Sequence, residues 1–251
     1  MDIYVLCFVI LIFSILQSCF GVGLLLFGTP TLIIFGYSYV ETLWIILPSS
    51  IVISLTQVLF DRDLIQSKKS IFLLTVPALA IGLIIILLSG DLVNISKIVG
   101  LGLIIVAFIR QSKVLKTYLS NFISKRSSVY LLSTGLIHGL SNMGGGPLSI
   151  LMSSLYKSKN VIRVNIAYVY LFFGISQIII LTILELETFD VNYFVFPLVA
   201  IVSYFFIGKP LSNYIDDNKY QSFITIMIFI YGFLALIDVN KYIIDNTISS
   251  I

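Results

Sequence analysis

Charge is what this sequence has least of. Of its 251 residues, 11% are charged and 59% hydrophobic, whereas soluble globular domains carry roughly a quarter charged residues. A soluble globular fold is therefore excluded, and residues 1–251 read as a single all-α, polytopic membrane domain. Carboxylates occur at the ends of the apolar runs and not within them. That absence argues against a proton pump of the Asp/Glu relay type and against a dedicated cation site. His138 is the single histidine, too few for the common intramembrane zinc site. No P-loop, no His/Cys/Asp ligand cluster and no plausibly spaced Ser-His-Asp set is present. The chain is accordingly read as neither an enzyme nor a metal or cofactor protein. Cys7 and Cys19 both sit in apolar sequence, where cysteine packs as a small hydrophobe more often than it forms a disulfide. Met1-Asp2 offers no basic start for a secretory signal, and the apolar run continues to Gly21 and beyond.

What the chain does have is a series of apolar stretches. Crossing ~30 Å of hydrocarbon takes ~20 helical residues. Glu41–Phe60, Ser70–Ser89, Leu92–Ile109, Val164–Leu184, Val191–Ile207 and Gln221–Ile237 suit one crossing each. Ile3–Phe35 and Val129–Leu155 are too long or too interrupted for one clean helix. The basic residues are sorted between connections. Arg62, Lys68 and Lys69 share one, and Arg110, Lys113, Lys116, Lys125 and Arg126 share the next. With Lys157, Lys159 and Arg163, then Lys209 and Lys219, four connections hold 13 of the 15 Lys and Arg. The other connections and ends hold Asp2, Glu41, Asp91, Glu185, Glu187, Asp190, Asp238 and Asp245 beside Lys97 and Lys241.

By the positive-inside rule the four basic connections face the cytoplasm and both termini lie outside. The loop 110–128, with the linker 111–128 between the halves, is then cytoplasmic. It reads as an orientation signal touching anionic lipid, not as a nucleic-acid site. Both flanks of Val129–Leu155 are basic, and the flanks of Ile3–Phe35 are Asp2 and Glu41. Each of these two stretches is therefore expected to enter the membrane and return to the same side. Each half then contains one re-entrant element and three crossings, and an odd number of crossings inverts the second half.

The sequence also repeats itself. Ser14–Pro30 reads SILQSCFGVGLLLFGTP and Gly135–Leu151 reads GLIHGLSNMGGGPLSIL. An offset of 121 places Gln17 on His138 and Gly23 on Gly144; an offset of 120 places Gln57 on Gln177 and Pro77 on Pro197. Repeat one covers about residues 1–110 and repeat two about 129–238. Glycine-interrupted apolar segments at matching places in two halves mark a secondary transporter and point to its binding site.

The second motif, Asn142-Met143-Gly144-Gly145-Gly146-Pro147, is a helix break in apolar sequence. Three glycines lower helix propensity by roughly 1 kcal/mol each, and proline lacks an amide donor while suiting a helix's first turn. Such a break leaves backbone amides at the positive end of a half-helix, which is a place for an anion. It is tolerated in a membrane only where protein or a water-filled cavity covers it. Gly21, Gly23, Thr29 and Pro30 would supply the related half. Glycines also permit close helix packing, the plainer reading of any one of them. His138 is either a donor or proton carrier at the site, or a neutral histidine bonded to a neighbouring helix. Gln57 and Gln177 are internal counterparts whose buried amides require partners. Asn165, Tyr168 and Tyr170 read as residues at the membrane interface.

At these residues the chain resembles the TauE/SafE family of sulfite exporters and related anion transporters. LIHGLSNMGGGPL carries the resemblance best, and CFGVGLLLFGTPTL departs from the family pattern at Leu24. The resemblance spans nearly the whole chain and implies passage of small anions such as sulfite, sulfoacetate or taurine-related compounds across the cytoplasmic membrane. The site expected is Gly21, Gly23, Thr29, Pro30, Gln57, His138, Asn142, Gly144, Gly145, Gly146 and Gln177, working by alternating access, with His138 tuning affinity or carrying a coupled proton. An anion channel and a membrane assembly protein without transport activity are the rival readings.

Overall fold

The computed structural model describes residues 3–67, 69–89 and 95–236. These are almost wholly helical, with no strand among the described residues. The first half holds α1 (Ile3–Phe20), α2 (Thr29–Ile34), α3 (Tyr39–Phe60), α4 (Lys69–Ser89) and α5 (Ile95–Gln111). The linker forms α6 (Lys113–Lys125) where a loop was expected. The second half holds α7 (Ser127–Ser141), α8 (Gly145–Leu155), α9 (Lys159–Leu184), α10 (Val195–Ser203), α11 (Lys209–Tyr214) and α12 (Asp217–Leu236). Local sequence sets several of these ends. Ser38 and Glu41 form a reciprocal capping box that starts α3, and Pro30 lies in the first turn of α2, where a missing amide costs least.

Five segments are long and apolar enough to cross a membrane: Ile3–Phe20, Tyr39–Phe60, Lys69–Ser89, Lys159–Leu184 and Val191–Tyr214. This differs from the expected set. Helix α1 qualifies by itself, while the stretches expected at Leu92–Ile109 and Gln221–Ile237 contribute shorter apolar runs, Gly100–Gln111 and Ser222–Phe233. Lys68, Asp91 and both chain ends, with Asp2, Asp238, Lys241 and Asp245, lie outside the described residues.

The main helix pairings join the two halves of the chain. Helix α7 lies along α4 as α1 lies along α10 and α11; α3 packs on α9, and α5 on α12. Exchanging the halves maps the first of these pairings onto the second and each of the other two onto itself. The α4–α7 pair is the closest kind of contact: a Cβ on Gly135 or Gly139 would overlap the carbonyl oxygens of Thr75 and Leu79. Close approach is the role of these glycines. In the matching pair, a Cβ on Gly208 would overlap the Ser18 side chain. Cys19 is buried there, with its Sγ 3.5 Å from the Gly208 carbonyl.

Both glycine-broken stretches fold back as helical hairpins. Gly28 comes against Phe13 of α1, and the Tyr130 hydroxyl on α7 donates to the Pro147 carbonyl on α8 at 2.7 Å. The basic connections gather at one end. Gln66, Ser70, Ser124, Ser127, Leu155 and Tyr156 line one cavity of about 490 Å³, and Lys159 N–H donates to Asp217 at 3.0 Å. At the other end Trp44 Nε1 donates to Thr188 Oγ1 at 2.9 Å. Helix α6 sits at the basic end and exposes Val114, Leu115 and Tyr118, an apolar face on a charged helix that suits the membrane interface.

Candidate functional site

The two breaks are built alike. Helix α1 ends on Gly21 at φ 76° and α7 ends on Asn142 at φ 60°. A left-handed residue just past the helix is a common terminus; glycine adopts it freely, and asparagine is among the few other residues that do. Four residues before each of these points, at Gln17 and His138, a side chain turns to accept an amide beyond the break. Gln17 Oε1 accepts from Leu24 N–H at 3.2 Å, and His138 Nδ1 accepts from Gly144 N–H at 3.1 Å. The offset match of Gln17 with His138 is thus a match of function within the fold.

The neighbours of these two side chains differ. Gln17 Nε2 donates to the Ser50 carbonyl at 3.1 Å and lies within hydrogen-bond reach of the Ser50 and Ser54 hydroxyls, at 2.9 and 3.1 Å. His138 Nε2 faces Gln177 Oε1 at 3.2 Å. Because Nδ1 accepts, the proton sits on Nε2 and is donated to Gln177, so the imidazole is neutral. Its ring rests against Phe173 and Tyr170, with centroids 4.5 and 5.8 Å away. His138→Gln should keep the break folded, since glutamine does this work in the first half. His138→Leu strands the Gly144 amide and should lower stability by about 1–3 kcal/mol, read as the thermal midpoint in detergent.

The remaining expected residues are all buried. Asn142 Nδ2 donates to Thr29 Oγ1 at 2.9 Å, tying the second break to the first. Gln57 Nε2 donates to the Gln17 and Ser18 carbonyls at 3.3 and 3.0 Å and so closes the end of α1. Gly21 packs on the backbone of Arg163, and Gly23 on that of Phe13 and Gln17. Of the three amides at Gly144–Gly146, the first goes to His138 and the third to the Met143 carbonyl at 3.3 Å. Gly145 N–H is left with no acceptor among the described residues. Gln177 Nε2, Asn142 Oδ1 and Gln57 Oε1 are likewise buried without a partner there.

Four residues outside the expected set matter here. Tyr170 is fully buried, not interfacial, and a Cβ on Gly145 would collide with its hydroxyl oxygen. Arg163 is buried at the start of α9, where Nη2 pairs with Asp61 at 2.7 Å and Nη1 donates to the Ser18 carbonyl at 3.2 Å. Arg110 is buried, reaching Ser149 of α8 at 3.2 Å and Thr225 of α12 at 3.0 Å. Asn165 is buried too, and its side chain holds the α3–α4 connection by accepting from Gln66 N–H at 2.8 Å. No group of three or more His, Cys, Asp or Glu suited to a metal occurs among the described residues.

Apolar helices folded around two broken hairpins, with polar groups buried at the breaks, define an all-α polytopic membrane protein with a polar centre. The chain belongs to the sulfite exporter TauE/SafE family, whose family model matches residues 6–234. It is therefore a multi-pass membrane protein of an anion-exporter family and not an enzyme. No curated protein and no solved structure matches the chain.

Proposed function

We propose that the protein exports sulfite, an organosulfonate or a related organic anion across the cytoplasmic membrane by alternating access. The observation that carries this reading is the second break. There Gly145 N–H and Gln177 Nε2 are unspent donors, shut away from both ends of the molecule. Buried donors without acceptors are costly, and an anion supplies the acceptors. Asn142 and Thr29 hold this break against the first one, and Gln57, Gly21, Gly23 and Pro30 build the first. His138 holds Gly144 in place as a neutral group; protonating Nδ1 would expel that amide. The two halves are read as inverted repeats, supported by the exchange of helix pairings between them and by the grouping of basic connections at one end.

The test is sulfite movement in proteoliposomes. Accumulation against a gradient, driven by a proton gradient, is expected; passive equilibration alone would favour a channel, and no movement would remove the reading. Orientation is tested separately. A cysteine replacing Ser120, exposed on α6, should react with a membrane-impermeant maleimide only when the cytoplasmic face is open to it. Labelling of intact cells would reverse the topology.

A further inference from the structure

We propose that the anion binds at the second break alone, with the Tyr170 hydroxyl and the Gly145 amide as its donors. This rests on the exporter reading above and assigns the solute to one half of a duplicated fold. The reason is an asymmetry. The offset of 120 that aligns Gln57 with Gln177 also aligns Ser50 with Tyr170 and Ser54 with Gly174. In the first half those two serines surround the Gln17 amide, whose oxygen already accepts from Leu24. Glutamine, serines and backbone there satisfy one another.

In the second half both hydroxyls that would do this are missing. Gly174 has no side chain, and Tyr170 reaches past the His138 ring to Gly145 instead. The Tyr170 hydroxyl is fully buried and has no hydrogen-bond partner among the described residues. Buried phenol hydroxyls normally find one. It lies against Gly145, the one residue of the Gly144–Gly146 turn whose amide is also unspent. Two uncharged donors from different helices thus converge where α8 begins, at the positive end of its dipole. Such a pair suits an oxoanion offering only acceptors. The close seat of the hydroxyl on Gly145 also means that the anion enters only as Tyr170 swings aside.

The experiment compares two variants of the full chain in detergent, titrated with sodium sulfite and with methanesulfonate. Tyr170→Phe keeps the ring against His138 and Phe173. It should leave the anion-free thermal midpoint unchanged or raised, because an unsatisfied hydroxyl has been removed. Affinity for sulfite should fall about 10- to 100-fold, the range for a hydrogen bond to a charged group. Ser50→Ala should do the opposite, lowering the midpoint while leaving sulfite affinity as in the wild type. Equal affinity in Tyr170→Phe and wild type overturns the assignment of Tyr170. An equal affinity loss in both variants overturns the assignment to one half. If the wild-type protein binds neither anion, the exporter reading falls first, and this one with it.

Discussion

Gly145→Ala is expected to abolish sulfite transport while the protein still inserts and purifies. The added methyl group would overlap the Tyr170 hydroxyl and lie 3.0 Å from Tyr170 Cζ and 3.3 Å from Val22 Cγ1. Interiors packed at crystal density do not absorb a methyl group without moving something, at about 1–3 kcal/mol. What moves here is the phenol or the turn, and both hold the proposed donors. Misplacing a reacting group by ~1 Å costs on the order of 100-fold in other binding and catalytic sites, and a loss of that size is expected in efflux from proteoliposomes. Gly145→Ala combined with Tyr170→Phe separates packing from function. Removing the oxygen should recover the thermal midpoint but not transport. Wild-type efflux in Gly145→Ala would remove the second break from the mechanism.

Breaking the Asp61–Arg163 pair should produce the largest loss of stability. The Arg163 side chain is 8% exposed and that of Asp61 is 23% exposed. Removing one partner of a buried pair strands a charge and costs about 3–5 kcal/mol, whereas replacing both with uncharged groups costs far less. Asp61→Leu should therefore lower the midpoint sharply, and Arg163→Met added to it should restore most of the loss. The effect reaches the first break directly, because the same guanidinium donates to the Ser18 carbonyl at the end of α1 and Gly21 packs on the Arg163 backbone. A double variant no more stable than Asp61→Leu would show that the pair is not what holds these elements.

The breaks were legible because glycine, proline and their spacing act through the backbone. Gly21 and Asn142 end their helices in any context that allows a left-handed residue. Gln17 and His138 were legible as counterparts, but what each accepts required the three-dimensional turn. Tyr170 was not legible as a site residue. An apolar run that starts at Val164 puts Tyr170 near a helix end, where tyrosine anchors at the interface. The helix begins at Lys159, and Arg163 enters the protein instead of staying in a loop because Asp61 meets it there. A signal did exist in the alignment of Tyr170 with Ser50. Helix α6 was missed because a 13-residue stretch with several lysines lacks the length and hydropathy of a crossing.

The close glycine contacts of α7 decide which helices hold together as a unit. Backbones that touch at Gly135 and Gly139 leave no gap to Thr75 and Leu79, so the second hairpin is fastened to α4, a helix from the other half. The first hairpin is joined in the same crossed fashion to α10 and α11. Each of these two closely packed units is therefore assembled from both halves of the chain.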